Sequence, residues 1–278
     1  MASRFWVGGT GTWDAVTTTN WSATSGGAGG ASVPGSADTV TFDGASGGGT
    51  VTVNFGGLIT IQQLDCSAFT GTLDFATNNN SITLTLSGTA FFCTGAATKT
   101  LNMGSGTWTL SGTNAAWNMN TAANLTLVPG TSTIAFTGSG NRSFIGGGKT
   151  INALTVAAAS STGGFTFSSS SVTIGSLTIT GQNVVVINQG FTVNITTLTV
   201  SGTSASAPVC FSSSNPGSAG AVVTLAVTNN FTGSWLSLLS VTFTTGTHTA
   251  NNSFGFITSG ITVNAPSGGG GVVGVIGG

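Results

Sequence analysis

Charged side chains are what this 278-residue chain has least of. Asp, Glu, Lys and Arg make up 3% of it and the formal net charge is −1, whereas charged residues are about 25% of an ordinary soluble domain. Glu and Tyr do not occur. Because nucleic-acid-binding surfaces need clustered Lys and Arg, four scattered cations exclude a nucleic-acid partner. Solubility must come from Ser, Thr and Asn side chains.

Long apolar runs, cysteine and histidine are also scarce. No run of about 18 apolar residues exists, so neither a transmembrane helix nor a membrane partner is expected. The N-terminus lacks the basic-then-apolar pattern of a secretory signal. Cys66, Cys93 and Cys210 are too few for a disulfide framework, and we expect buried, reduced thiols. His248 is the single histidine, so no metal site and no cofactor are predicted.

Carboxylates are too few to suggest catalysis. All five precede residue 75: Asp14, Asp38, Asp43, Asp65 and Asp74. Glycan-cleaving enzymes need a carboxylate pair at a fixed separation. Asp65 and Asp74 are the best candidates for such a pair, but turn or surface roles are expected for both. The sequence therefore predicts a non-enzymatic protein.

A short phrase, Leu-Thr or Leu-Ala followed by an apolar residue, recurs along the chain. Each copy alternates apolar and small or polar residues, which is the period of a strand. The copies begin at Leu84, Leu125, Leu154, Leu177, Leu198 and Leu225. The last three steps are 23, 21 and 27 residues. Recurrence at about 20–30 residues predicts a solenoid, in which each repeat buries its apolar face against its neighbours.

The predicted fold is all-β: a single-stranded, right-handed parallel β-helix with an N-terminal aromatic cap. A β-sandwich or jelly roll is the alternative, because its short strands recur at similar spacing. We predict a cap and anchoring segment over 1–50, a shaft over 51–263 and a Gly-rich apolar tail over 264–278. Pro208 and Pro216 predict a loop between them. The tail is either a frayed end or a strand added to a neighbour.

Aromatic residues supply the candidate binding sites. Four of them lie in the predicted cap, where they would cover the first repeat or anchor the chain to a partner protein: Trp6, Trp13, Trp21 and Phe42. The other three tryptophans could stack on sugar rings if they were exposed in a row: Trp108, Trp117 and Trp235.

Two segments resemble a known class of proteins. The first has the pattern Trp-x-Gly-Gly-x-Gly-x-Trp-Asp, then Asn-Trp, then Pro-x-x-x-Asp-x-Val-x-Phe-Asp. It is formed by Trp6, Gly8, Gly9, Gly11, Trp13, Asp14, Asn20, Trp21, Pro34, Asp38, Val40, Phe42 and Asp43. This opening resembles that of bacteriophage virion surface proteins of β-solenoid type, and is similar to that of autotransporter-like bacterial surface proteins. Residues 144–156 resemble the Gly-Gly-Lys-Thr-x-x-x-Leu-Thr repeats of the same phage proteins.

The resemblance implies a location on the virion surface, and the missing export signal fits synthesis in the host cytoplasm. The expected function is structural: capsid decoration or a head fibre, bound to the major capsid protein or another virion protein. A homotrimer is expected from the low charge and by analogy with phage fibres. The alternatives are a tail fibre, an adhesin or extracellular fibre that binds a host glycan, and, third, a polysaccharide depolymerase.

Overall fold

A computed structural model describes residues 2–157, 163–217 and 222–266. Their regular structure is strand, apart from one 3₁₀ turn at Gly44–Ser46. The chain divides into two compact units, 1–136 and 137–278, which we call unit 1 and unit 2.

Unit 1 contains fifteen short strands among its described residues. In chain order they are β1 (Ser3–Trp6), β2 (Gly11–Asp14), β3 (Trp21–Ser22), β4 (Thr39–Thr41), β5 (Thr50–Asn54), β6 (Leu58–Ile61), β7 (Gln63–Asp65), β8 (Thr72–Asp74), β9 (Ser81–Leu84), β10 (Thr89–Phe92), β11 (Lys99–Asn102), β12 (Thr107–Leu110), β13 (Ala116–Asn118), β14 (Leu125–Val128) and β15 (Thr133–Phe136).

Three ladders of parallel strands organise unit 1, and each strand is one rung of its ladder. The ladders are β6-β9-β12-β15, β1-β4-β7-β10-β13 and β2-β5-β8-β11-β14. Paired residues lie one circuit apart, as in Leu64 with Phe91 and Phe91 with Trp117. Alternate residues of each strand are buried, so the pleat sends one set of side chains inward and one outward.

The two edges of β1 have different partners. One edge pairs in parallel with β4, and the other pairs antiparallel with β3, where Trp6 faces Trp21. A sheet edge left open is a template for unwanted pairing, and β3 covers this one. The predicted cap segment is continuous with the ladders, because β2 and β4 pair with β5 and β7.

Unit 2 has fewer and longer strands. In chain order they are β16 (Arg142–Ile145), β17 (Thr150–Val156), β18 (Gly164–Phe167), β19 (Val172–Thr180), β20 (Asn183–Ile187), β21 (Thr192–Ser201), β22 (Val209–Ser213), β23 (Val223–Val227), β24 (Phe231–Ser234), β25 (Leu236–Thr244), β26 (His248–Asn251), β27 (Phe254–Ser259) and β28 (Thr262–Val263).

These strands also pair in parallel ladders. The first is β16-β18-β20-β22-β25-β27, the second is β17-β19-β21-β23-β25, and a short one is β24-β26-β28. The circuits shorten toward the end of the unit. Phe211 pairs with Leu238, 27 residues on, whereas Leu238 pairs with Gly255, only 17 residues on.

The all-β prediction is confirmed, and the mostly parallel sheet is compatible with a β-helix. A β-sandwich would require mainly antiparallel pairing, which the described ladders do not have. Leu154, Leu177 and Leu198 stack in one register as the repeat predicts. Leu225 does not continue that column, because it pairs with Val193.

The predicted loop between Pro208 and Pro216 is wrong over most of its length. Residues Val209–Ser213 form β22, which pairs with β20 and β25. Proline ends a ladder only where its missing N–H is needed, and both prolines lie outside the strand. The predicted tail lies outside the described residues from 267 onward.

Candidate functional site

The four residues predicted to anchor the chain lie in the interior of unit 1. Trp6, Trp13, Trp21 and Phe42 are each 0% exposed. The Trp6 and Trp21 rings meet edge to face with centroids 5.2 Å apart, and Trp13 lies 5.4 Å from Trp21. The anchoring hypothesis needs correction here, because a buried ring offers no surface to another protein. These rings instead fill the first circuits of the unit.

The aromatic contacts continue into the next circuits. Trp108 lies 4.5 Å from Phe75 and 5.8 Å from Trp117, and Trp117 stacks on Phe91 at 3.7 Å. Trp108 and Trp117 are 0% exposed, so neither presents a face on which a sugar could stack. That part of the glycan hypothesis therefore lacks the exposed row of rings it requires.

Trp235 is different, because its side chain is only half-buried. It joins β24 to β25 with a positive φ of 57°, an uncommon conformation outside glycine. Its backbone is fixed on both sides: its N–H donates to Asn251 and its carbonyl accepts from Val209. Of the three tryptophans considered for glycan stacking, this is the one with accessible surface.

All five carboxylates are engaged in turns of unit 1. Asp14 accepts hydrogen bonds from the backbone of Val16 and Thr17 and from the Thr17 hydroxyl. Asp74 repeats this pattern with Ala76 and Thr77. The remaining acids each accept at least one backbone N–H, as shown by Asp38, Asp43 and Asp65. Short polar side chains commonly close turns in this way.

The electrostatics of Asp14 follow from that turn. Partial burial opposes ionisation, but the hydrogen bonds donated by Thr17 and Val16 outweigh it and lower the pKa of Asp14 below its ordinary value of 3.8. A general acid needs the opposite shift, toward neutral pH. Asp14 is therefore built to remain ionised and hold its turn.

Two cysteines and a lysine form a second buried cluster in unit 1. The N–H of Cys66 donates to the carbonyl of Phe92, so Cys66 and Cys93 continue the pairing of β7 with β10, and both thiols are buried. Burial, followed by the neighbouring Cys93, raises the pKa of the Cys66 thiol. The nucleophile is the thiolate, so this pair is poorly reactive. Lys99 donates to the carbonyls of Ser67 and Thr94 at 2.6 and 2.8 Å and closes the adjoining loop.

Unit 2 contains a buried cation. Arg142 is 1% exposed and donates to the carbonyl of Ala157 at 2.9 Å and to the amide oxygen of Asn183 at 2.7 Å. Desolvation lowers its pKa. The Asn183 amide in turn donates to the carbonyls of Ala157 and Thr180. Arg142 and Asn183 thus satisfy a corner of the backbone and each other.

The described residues include no group of three or more His, Cys, Asp or Glu side chains placed to hold a metal ion. Within the same part of the chain, no helix is long and apolar enough to cross a membrane.

The outward side of the first ladder of unit 2 carries an apolar surface. Its inward positions are buried, as in Val185, Phe211 and Leu238. The positions between them point outward. We call the following set the outer apolar face: Val184, Val186, Cys210, Leu239, Phe254 and Phe256. Val184 is 45% exposed, and Phe254 and Phe256 are each 50% exposed.

Sequence reasoning missed this face because its residues do not form one motif. They are contributed by β20, β22, β25 and β27, and only the register brings them together. A signal was present in the alternation itself: the outward positions of β20 are Val184 and Val186, where Thr or Asn stands in most other strands.

Comparison with protein-family models, with curated proteins and with solved structures finds no match to this chain.

Proposed function

We propose that this chain is a non-enzymatic structural protein of a bacteriophage virion, with the fold of a right-handed, single-stranded parallel β-helix. It decorates the capsid or forms a head fibre, and it acts as a homotrimer bound to the major capsid protein or another virion protein. It is made in the host cytoplasm and resides on the virion surface. The phage-like pattern of residues 6–43 supports the location.

One observation carries the structural role: the polar groups that could perform chemistry are used up inside the fold. Each aspartate closes a turn, Lys99 closes a loop, and Arg142 satisfies a buried corner. The interior between the ladders is filled by apolar side chains. Such an arrangement gives stiffness, since the rungs shield one another from water.

Purified particles test the location. Phage particles from the organism that encodes this chain are purified by density gradient, and their proteins are quantified by mass spectrometry. We expect this chain at a fixed copy number per particle, with antibody labelling on the particle surface. An abundant host cytoplasmic protein is the contamination control. Recovery of the chain only in the cell envelope would contradict the proposal.

A glycan-binding fibre is the second candidate, and the half-buried Trp235 is the observation that favours it. An exposed indole face can stack on a sugar ring, so glycans from the host surface should quench tryptophan fluorescence if this site is used. Trp235→Phe should retain part of the binding and Trp235→Ala should abolish it. Equal binding by all three proteins would remove this candidate.

A further inference from the structure

The three outward surfaces of unit 2 differ sharply in composition. Along the second ladder the outward residues are mostly Thr and Asn, for example Thr173, Asn194 and Thr242. The β24-β26-β28 ladder presents Thr232 and Thr249. The outer apolar face lies on the remaining ladder, where its residues continue from rung to rung.

The rungs place these side chains in two parallel rows. Val184 pairs with Cys210, and Cys210 with Ser237, which pairs with Phe254. The second row runs through the neighbouring outward positions: Val186, Ser212, Leu239 and Phe256. Strands lie about 4.8 Å apart, so side chains of one row touch their neighbours and the apolar area is continuous.

Charge decides which occupant fits. No residue of either row is charged, and unit 2 has no aspartate or glutamate at all. Its two cations are Arg142, which is buried, and Lys149, which lies in the turn before β17. A charged partner would find no opposite charge on the rows, whereas a second copy meets the same neutral surface without repulsion. Self-complementary surfaces of this kind are what symmetric oligomers require.

We propose that the outer apolar face is the surface through which copies of this chain associate with one another. This inference rests on the homotrimer of the proposed function and assigns its interface. Phe254 and Phe256 are the largest exposed apolar side chains of the face, so they contribute most of the apolar area that association removes from water. The polar outward ladders remain in solvent.

The test compares the purified full chain with Phe254→Thr/Phe256→Thr by analytical ultracentrifugation over a concentration series. Thr suits an outward strand position, so the variant keeps the ladder while removing the apolar area. We expect a trimer for the unaltered chain and a weakening of its association by roughly 100-fold in the variant. The matched control is Val16→Thr/Leu58→Thr, which alters residues that are 80% and 63% exposed in unit 1. It should remain trimeric.

A chain ending at Pro266 tests the other possible occupant, the apolar sequence of residues 267–278. Continued association of this shortened chain supports a second copy as the occupant. Loss of association on shortening alone would overturn the proposal, and so would a monomeric full chain or a double variant that still associates. Circular dichroism of each variant confirms that the strands are intact.

Bifunctional maleimide cross-linking through Cys210 gives an independent measurement. Cys210 lies half-buried within the face, while Cys66 and Cys93 are buried. We expect covalent dimers for the unaltered chain and none for Cys210→Ser/Thr199→Cys, whose thiol lies on an exposed position of β21. The reverse pattern would place the interface elsewhere. These measurements use the isolated protein, so their failure is distinct from failure to find the chain in virions.

Discussion

Unit 1 and unit 2 build similar parallel ladders from different interiors. Five of the six tryptophans lie in unit 1, and all five are 0% exposed. Unit 2 instead stacks aliphatic residues in register, such as Ile151, Ile174 and Ile195. The charges divide as well: unit 1 has five aspartates with two cations, and unit 2 has two cations and no acidic side chain.

The difference shows that a ladder constrains position more than side-chain type. Aromatic rings bridge rungs through edge-to-face contacts, which large rings can make at centroid distances of 4.5–7 Å. Branched aliphatic residues pack directly on their copies in the next strand. The first solution concentrates stability in few side chains, and the second spreads it over many. Substitutions should therefore affect the two units unequally.

The largest expected effect is that of Trp108→Ala. Its ring contacts Phe75, Phe91 and Trp117, so truncation leaves a large cavity and should lower the free energy of unfolding by about 3–5 kcal/mol. Hydrogen exchange should show the loss in residues 2–136. Val16→Ala, at an 80% exposed position, is the control and should change little. A loss no greater than that of the control would mean that the aromatic contacts do not hold unit 1 together.

The next effect concerns the buried cation of unit 2. Asn183→Leu removes the oxygen that accepts from Arg142, and an unsatisfied buried polar group costs about 1–3 kcal/mol. Arg142→Met in the same chain should recover much of this, because the buried charge is then gone. Denaturant unfolding of the two single variants and the double variant measures the coupling. Additive losses would mean that the two side chains act independently.

The smallest effect is the pH dependence of unit 1. Because the pKa of Asp14 is lowered in the folded chain, its stabilising contribution is complete above the ordinary value of 3.8 and is lost as pH falls through the lower folded pKa. Exchange in residues 2–136 should rise between pH 4 and pH 2 more in the unaltered chain than in Asp14→Asn. The same fall in both chains would exclude Asp14 as a source.

Period and burial were predictable where the repeat is regular. The step between Leu154, Leu177 and Leu198 gave the correct register because those circuits have short, similar corners. The next step failed, since residues 202–222 add length before β23 and Leu225 pairs one ladder away from Leu198. Circuit length depends on corner conformation, and no local pattern in the chain encodes it.

The candidate sites were less predictable than the strands. A tryptophan in a Gly-rich segment suits both a cap and a docking surface, and only packing distinguishes them. Trp13 is enclosed by residues as distant as Phe75. The outer apolar face depends on the same long-range register, because Val184 and Phe254 are joined through three pairings of separate strands.

Parallel, in-register stacking is the claim on which every other statement depends, and spin labels measure it directly. Thr155 pairs with Thr178, and Thr178 with Thr199, all at outward positions. In a Cys210→Ser background, labels at 178 and 199 should be one strand spacing apart, about 4.8 Å, and labels at 155 and 199 about twice that. Both pairs should show dipolar broadening, stronger for the first. Spectra without broadening for either pair would contradict the ladder and the structural role built on it.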